Sequence, residues 1–109
     1  MQYRIIYITT ENEEEAAIIG KKLVEEKLIA CVNIIQPIRS IYREGEKIND
    51  EKEAAMICKT RADLVDEVIK RVRELHSYEV PEIISLPIEK GWPDYLKWID
   101  QSTKKEMIA

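Results

Sequence analysis

Apolar positions divide the chain into segments of two kinds. Residues 1–10 carry the run Arg4-Ile5-Ile6-Tyr7-Ile8-Thr9, rich in β-branched side chains, and predict a buried strand. Thr10 and Glu13 then match a capping box, and the glutamates of the first turn suit the positive end of a helix dipole. Ala16, Ile19, Gly20, Leu23 and Val24 fall on one face of that helix, which is expected to end near Lys27. Residues 28–35 are too short and too β-branched for a helix and predict a strand. Gln36-Pro37 breaks it at a bulge or an edge, because proline donates nothing to a ladder. Residues 38–42 continue extended, Glu44-Gly45-Glu46-Lys47 predicts a hairpin tip, and residues 54–59 form another apolar strand.

The second half repeats the plan. Thr60-Arg61-Ala62-Asp63 has the pattern of a helix start, and Leu64, Val65, Val68, Ile69, Val72 and Leu75 make an apolar stripe. Asp66–Lys70 and Glu67–Arg71 are acid-before-base pairs four residues apart. Residues 76–81 read as a loop, since Val80 before Pro81 is pushed to extended geometry. Ile83–Ile88 is the last strand, and Pro93 opens a short final helix with Trp92, Tyr95, Leu96 and Ile99 at helical spacing. The order β-α-β-β-α-β plus a terminal helix predicts an α+β fold of the ferredoxin-like, split βαβ kind, with helices on one face of an antiparallel sheet. Residues 29–35 and 54–59 do not alternate between polar and apolar, which implies burial on both faces. The chain has no spare element to cover the second face, so subunits are expected to pack there.

Composition narrows the function. A chain of 109 residues suggests one domain. A domain this small buries about two-thirds of its unfolded surface, so a site should be shallow or shared between subunits. Seventeen basic and 21 acidic residues, net charge -4, are interspersed and leave no basic stripe for a phosphate backbone; no nucleic-acid partner is expected. No apolar run approaches the ~20 residues of a membrane helix, and a strand in place of a signal peptide opens the chain. Cys31 and Cys58 are far apart, without a C-x-x-C pair, and point to the reducing cytoplasm.

The candidate chemistry is sparse. Glycine occurs only at positions 20, 45 and 91, so there is no glycine-rich phosphate loop, and neither a G-x-S-x-G elbow nor an H-E-x-x-H helix is present. Binding is expected, and no enzymatic activity. Cys31 and Cys58 can be soft metal ligands or small core residues. His76 can ligate a metal or cap the helix before it, and Tyr78, Glu79 and Glu82 put a phenol and two carboxylates in its loop. Glu44, Glu46, Asp50, Glu51 and Glu53 lack the order of an EF-hand and read as a solvated hairpin. Trp92, Tyr95 and Trp98 read as core.

Ala30-Cys31-Val32-Asn33, Ser40-Ile41-Tyr42, Glu53, Lys59-Thr60, His76-x-Tyr78-Glu79-Val80-Pro81-Glu82 and Tyr95-Leu96-x-Trp98, in this order, resemble the CutA divalent-cation-tolerance family over nearly the whole chain. The resemblance implies a ferredoxin-like protomer in a homotrimer, and tolerance of divalent metals, copper above all. It implies no obligatory cofactor. Similarity of architecture to the PII regulatory trimers offers a second reading, a sensor of a small anionic metabolite; a third is a structural trimer that binds a protein partner. Departures from the family pattern are Ser77 for proline, Arg43 for tryptophan, Gln36-Pro37 for Pro-Gly, and Thr9 and Leu75 where some members carry cysteine and a second histidine. Three copper ligands thus reduce to His76, which implies weak binding. By this resemblance His76 and Glu79 are the metal candidates, and Cys31, Tyr42, Glu53, Lys59 and Tyr78 the ligand-binding ones, with Lys59 an anchor for an anion.

Overall fold

The computed structural model describes residues 1–104. Four strands, β1 (Tyr3–Thr10), β2 (Cys31–Glu44), β3 (Lys47–Arg61) and β4 (Ile83–Ile88), form one antiparallel sheet in the order β2-β3-β1-β4. Helices α1 (Glu13–Glu25) and α2 (Val65–Leu75) are the crossovers, and α3 (Pro93–Ser102) follows β4. This is the expected split βαβ arrangement. The core lies between the sheet and the first two helices. Ile6 and Ile8 of β1 and Ala54, Met56 and Cys58 of β3 point to it by strand alternation. They meet Ala16, Ile19 and Leu23 of α1 and Val68 and Val72 of α2. Gly20 lets α1 approach β2, since a Cβ there would lie 2.9 Å from Val32 Cγ1.

Both helix starts differ from the expected caps. Thr10 is the last residue of β1, and its hydroxyl donates to the Asn12 carbonyl. The cap of α1 is Asn12, whose Oδ1 accepts from the Glu15 N–H at 2.9 Å. Thr60 stays in β3 and donates to the Leu28 carbonyl at 2.6 Å, while a 3-10 turn, Ala62–Leu64, leads into α2 without a side-chain cap. Val24 is largely exposed. Arg71 does not pair with Glu67. It reaches across to Glu26 at 2.9 Å and to Glu74, and Glu67 receives Lys104.

Residues 28–30 turn before the strand begins. Lys27 adopts φ 59°, its N–H donates to the Val24 carbonyl, and the Leu28 N–H donates to the Leu23 carbonyl. Those two bonds make a Schellman cap with lysine where glycine fits best. Lys27→Gly is therefore expected to raise stability by about 1 kcal/mol, because the left-handed conformation costs a side-chain-bearing residue about 1–2 kcal/mol. Urea unfolding would check it, and an unchanged or lower midpoint would contradict it.

Proline marks both features expected of it. β2 is an edge strand, and its register against β3 shifts between Ile35 and Ile38, around the cis Gln36-Pro37 bond. β2 and β3 run on past the helices as a long two-stranded arm, closed by Gly45 at φ 64°. The second sheet face carries Ile5 and Tyr7 of β1, Ile57 of β3, Ile84 and Leu86 of β4 and Ile35 of β2. α3 covers only one end of it, where Tyr3 donates to Asp100 at 2.7 Å and buried Arg61 holds Asp63 and Thr103. Within one chain the expected two-sided burial of residues 29–35 therefore fails. Ile35 is 48%, Ile84 49% and Leu86 45% exposed. Trp92, Tyr95 and Trp98, expected in the core, are exposed as well, because only Ile99 of α3 turns fully inward.

Candidate functional site

The base of the β2–β3 arm, the end of β1 and residues 78–82 enclose an open groove. On β3, Glu51 and Glu53 point the same way by strand alternation, and each takes a phenol. Tyr42 Oη donates to Glu51 Oε1 at 2.5 Å, and Tyr78 Oη donates to Glu53 Oε2 at 2.6 Å. Thr9 Oγ1 donates to Glu82 Oε1 at 3.3 Å. Glu44, Glu51, Glu53, Glu79 and Glu82 all line the groove; among the described residues the one cation lining it, Arg39, is held by Asp50 at 2.7 and 2.9 Å. The field is accordingly negative. The Glu51 hydrogen bond, with burial and the nearby carboxylates, pushes the Tyr42 phenol up to about 12. Burial, the Glu53 hydrogen bond and the charges of Glu53, Glu11 and Glu15 carry Tyr78 higher still. Both phenols are neutral donors at physiological pH.

Of the seven residues singled out from the sequence, Tyr42, Glu53, Tyr78 and Glu79 meet in this groove. His76 lies behind it. Its side chain is wholly buried, Nε2 is 2.7 Å from the Thr9 carbonyl, and Nδ1 is 3.1 Å from the Tyr78 N–H. Nδ1 accepts, so the proton sits on Nε2 and donates to Thr9. Neither nitrogen has a free lone pair, which corrects the expectation of His76 as a metal ligand facing a site. His76 is the C-cap residue of α2 by its backbone, whose N–H donates to the Val72 carbonyl at 2.8 Å, but its ring does not cap the helix, since the ring bonds lead to β1 and to its own loop. Cys31 and Lys59 lie at the far end of the sheet. Lys59 stands six positions along β3 from Glu53, about 20 Å of strand. There Cys31 Sγ is 3.4 Å from Tyr95 Oη, and Lys59 Nζ donates to Asn33 Oδ1. Lys59 is thus already engaged by a neutral partner. Cys58 is buried in the core, where desolvation, with the Cys31 charge second, pushes its thiol up to about 12.

The sequence profile of the family described as CutA1 divalent ion tolerance protein matches residues 4–102. The chain belongs to the CutA1 family. The divalent-cation tolerance protein CutA of Archaeoglobus fulgidus is 45% identical over 102 residues, covering 94% of this chain and 99% of the relative. Protein CutA of Mus musculus is 44% identical over 98 residues, 90% of this chain but 55% of the relative. The chain likewise spans 62% of the Xenopus laevis homolog, so it corresponds to only part of those longer proteins. The crystal structure of CutA1 from Oryza sativa superposes with a TM-score of 0.94 at 37% identity, over 97% of each chain. The structure of the periplasmic CutA of A. fulgidus gives 0.91 at 45%, over 94% of this chain and 99% of that one.

Three groove-related residues of this CutA1 chain escape a reading of its sequence. Glu51 sits among the hairpin carboxylates that read as solvated, and only its diagonal cross-strand hydrogen bond with Tyr42 sets it apart. Thr9 stands out only as a position where some family members carry cysteine, and nothing there announces its hydroxyl contact with Glu82. Glu15 looks like one more first-turn glutamate. Its carboxylate in fact accepts from the N–H groups of Glu11 at 3.1 Å and Ser77 at 2.7 Å, and lies 3.7 Å from His76 Nδ1. Burial alone would raise its pKa, but the hydrogen bonds from Ser77 and Glu11 outweigh burial and lower it. Joining α1 to residue 77 spans 62 positions of chain, which no local pattern encodes.

Proposed function

We propose that this chain acts in divalent-cation tolerance by binding, not turnover, as a homotrimer that holds its ion at the carboxylate–phenol groove. The observation that carries the reading is the convergence of Glu51, Glu53, Glu79 and Glu82 with two neutral phenols around a space whose one lining cation is committed to Asp50. Such a groove attracts cations and repels anionic metabolites. Oxygen donors accept divalent ions generally, and at any such site Cu²⁺ leads the first-row series. Among the described residues no three of His, Cys, Asp and Glu stand close enough to hold a metal ion within one chain. Binding is therefore weak in a protomer, and groups from a neighbouring subunit complete the set. The apolar second sheet face supports the trimer. The free thiols Cys31 and Cys58 suit a reducing compartment such as the cytoplasm, and no helix among the described residues is long and apolar enough to cross a membrane.

Calorimetric titration with Cu²⁺, Zn²⁺ and Mg²⁺ tests the reading. Glu53→Gln and Glu79→Gln should each weaken Cu²⁺ binding by about tenfold or more, the range in which a lost charge-assisted contact falls. Unchanged affinity in both would remove the groove as the site, and tighter binding of an anionic nucleotide than of any metal would favour the metabolite sensor.

A further inference from the structure

We infer that His76 is the positioning residue of the groove: its imidazole, anchored on β1, fixes the loop that sets the Tyr78 phenol on Glu53. Every contact of the ring serves that placement. Nε2 donates to the Thr9 carbonyl at 2.7 Å, which ties the ring to the end of β1. Nδ1 accepts from the Tyr78 N–H at 3.1 Å, and the Tyr78 ring rests against the imidazole with centroids 4.8 Å apart. The phenol two residues on from the histidine thus has its backbone and its ring held by one side chain, and its hydroxyl falls 2.6 Å from Glu53. Thr9, whose carbonyl receives the imidazole, also holds Glu82 through its hydroxyl. One anchor therefore fixes loop residues on both sides of Pro81. The groups facing the ring are Glu15 of α1, Thr9 of β1 and Tyr78 of its own loop. Glu15 adds a second clasp through the Ser77 N–H, so the loop cannot pivot about residue 76. A buried imidazole with both nitrogens spent on the scaffold orients groups that bind without binding itself.

The affinity part of this inference rests on the groove as the cation site; the placement part does not. Amide hydrogen exchange of Tyr78 tests placement with no metal present. His76→Ala should speed exchange of that amide by about tenfold or more, a local opening with the rest of the sheet still protected. Equal protection in wild type and variant overturns the inference. Should the alanine variant not fold, His76→Asn and His76→Gln decide. Asparagine keeps an acceptor near the Nδ1 position and glutamine a donor near Nε2, so Asn should protect the Tyr78 amide better than Gln. The reverse order overturns the inference. For affinity, the Cu²⁺ dissociation constant should rise about 10–100-fold in His76→Ala, the range for partners that orient ligands. Tyr78→Phe should add little on top of it, because both remove the same placement. Electron paramagnetic resonance of the wild-type Cu²⁺ complex should show no imidazole nitrogen coupling, and coupling that vanishes in His76→Ala would make His76 a ligand instead. If wild type binds no divalent ion the proposed function fails, and the exchange experiment still decides the role of His76.

Discussion

Ile84→Lys combined with Leu86→Lys is expected to reduce the proposed trimer to smaller species at micromolar concentration. Both side chains stand on β4, on the sheet face that the helices leave open, and both are about half exposed in one chain. Covering the remaining apolar surface of each is worth about 1 kcal/mol, half the transfer energy of a fully buried aliphatic side chain. A lysine there does more than forgo that gain. Its ammonium must leave water as the subunits close, at an effective cost of several kcal/mol for each unpaired ion. The charge term outweighs the lost area, and every protomer carries both lysines. The protomer core lies on the other face of the sheet and keeps its packing. Light scattering and far-ultraviolet circular dichroism together make the test. Folded monomers are the expected outcome. A trimer of unchanged mass would show that this face is not where subunits meet.

Leu23→Ala is expected to cost about 2–5 kcal/mol, the range for removing a large aliphatic side chain from a packed core. Leu23 is fully buried in the cluster between α1 and the sheet. The structure around it resists collapse into the cavity. A Cβ on Gly20 of the same helix would lie 2.9 Å from Val32 Cγ1 and 3.6 Å from Met56 Cε, so α1 already runs close to the sheet. The Leu23 carbonyl also accepts the N–H groups of Leu28 and Ile29, which holds the end of the helix. Urea unfolding followed at several protein concentrations would measure the loss, since assembly adds a concentration term. A change below about 1 kcal/mol would mean that the core repacks.

The ordinary elements were legible because their burial is one-sided. β1 carries a short β-branched run, α1 carries an apolar period that matches its geometry, and helix α2 shows a stripe in which Val68 and Val72 are buried as expected. The arm was not legible in full. Lys47 to Glu53 is polar except for Ile48, so no hydrophobic alternation announces a strand there. Cross-strand pairs such as Arg39–Asp50 and Tyr42–Glu51 accompany the ladder instead. Caps misled for a related reason. Thr10 and Thr60 have the chemistry of caps, but each was claimed by a partner near it in space or on the next turn, Asn12 and Leu28. Trp92, Tyr95 and Trp98 have core chemistry at helical spacing, but within one chain Trp92 is left largely in solvent and Tyr95 and Trp98, which pack on each other, are covered only in part.

Sequence alone determined the order of strands and helices, the ferredoxin-like class, the bulge at Gln36-Pro37, the family, and four residues of the groove. Those features depend on local period, on backbone chemistry or on several motifs in fixed order, all of which a chain carries before it folds. Tertiary structure decided which of the candidate residues stand together. It placed Lys59 and Cys31 about 20 Å of strand away from Glu53, because β3 is extended and carries each residue 3.3 Å or so further along. It also turned His76 from a free imidazole into a buried one. The partners that occupy its ring are the Thr9 carbonyl, 67 residues away, and the N–H of Tyr78 two residues on, and only the packing of β1 against the loop brings both to it.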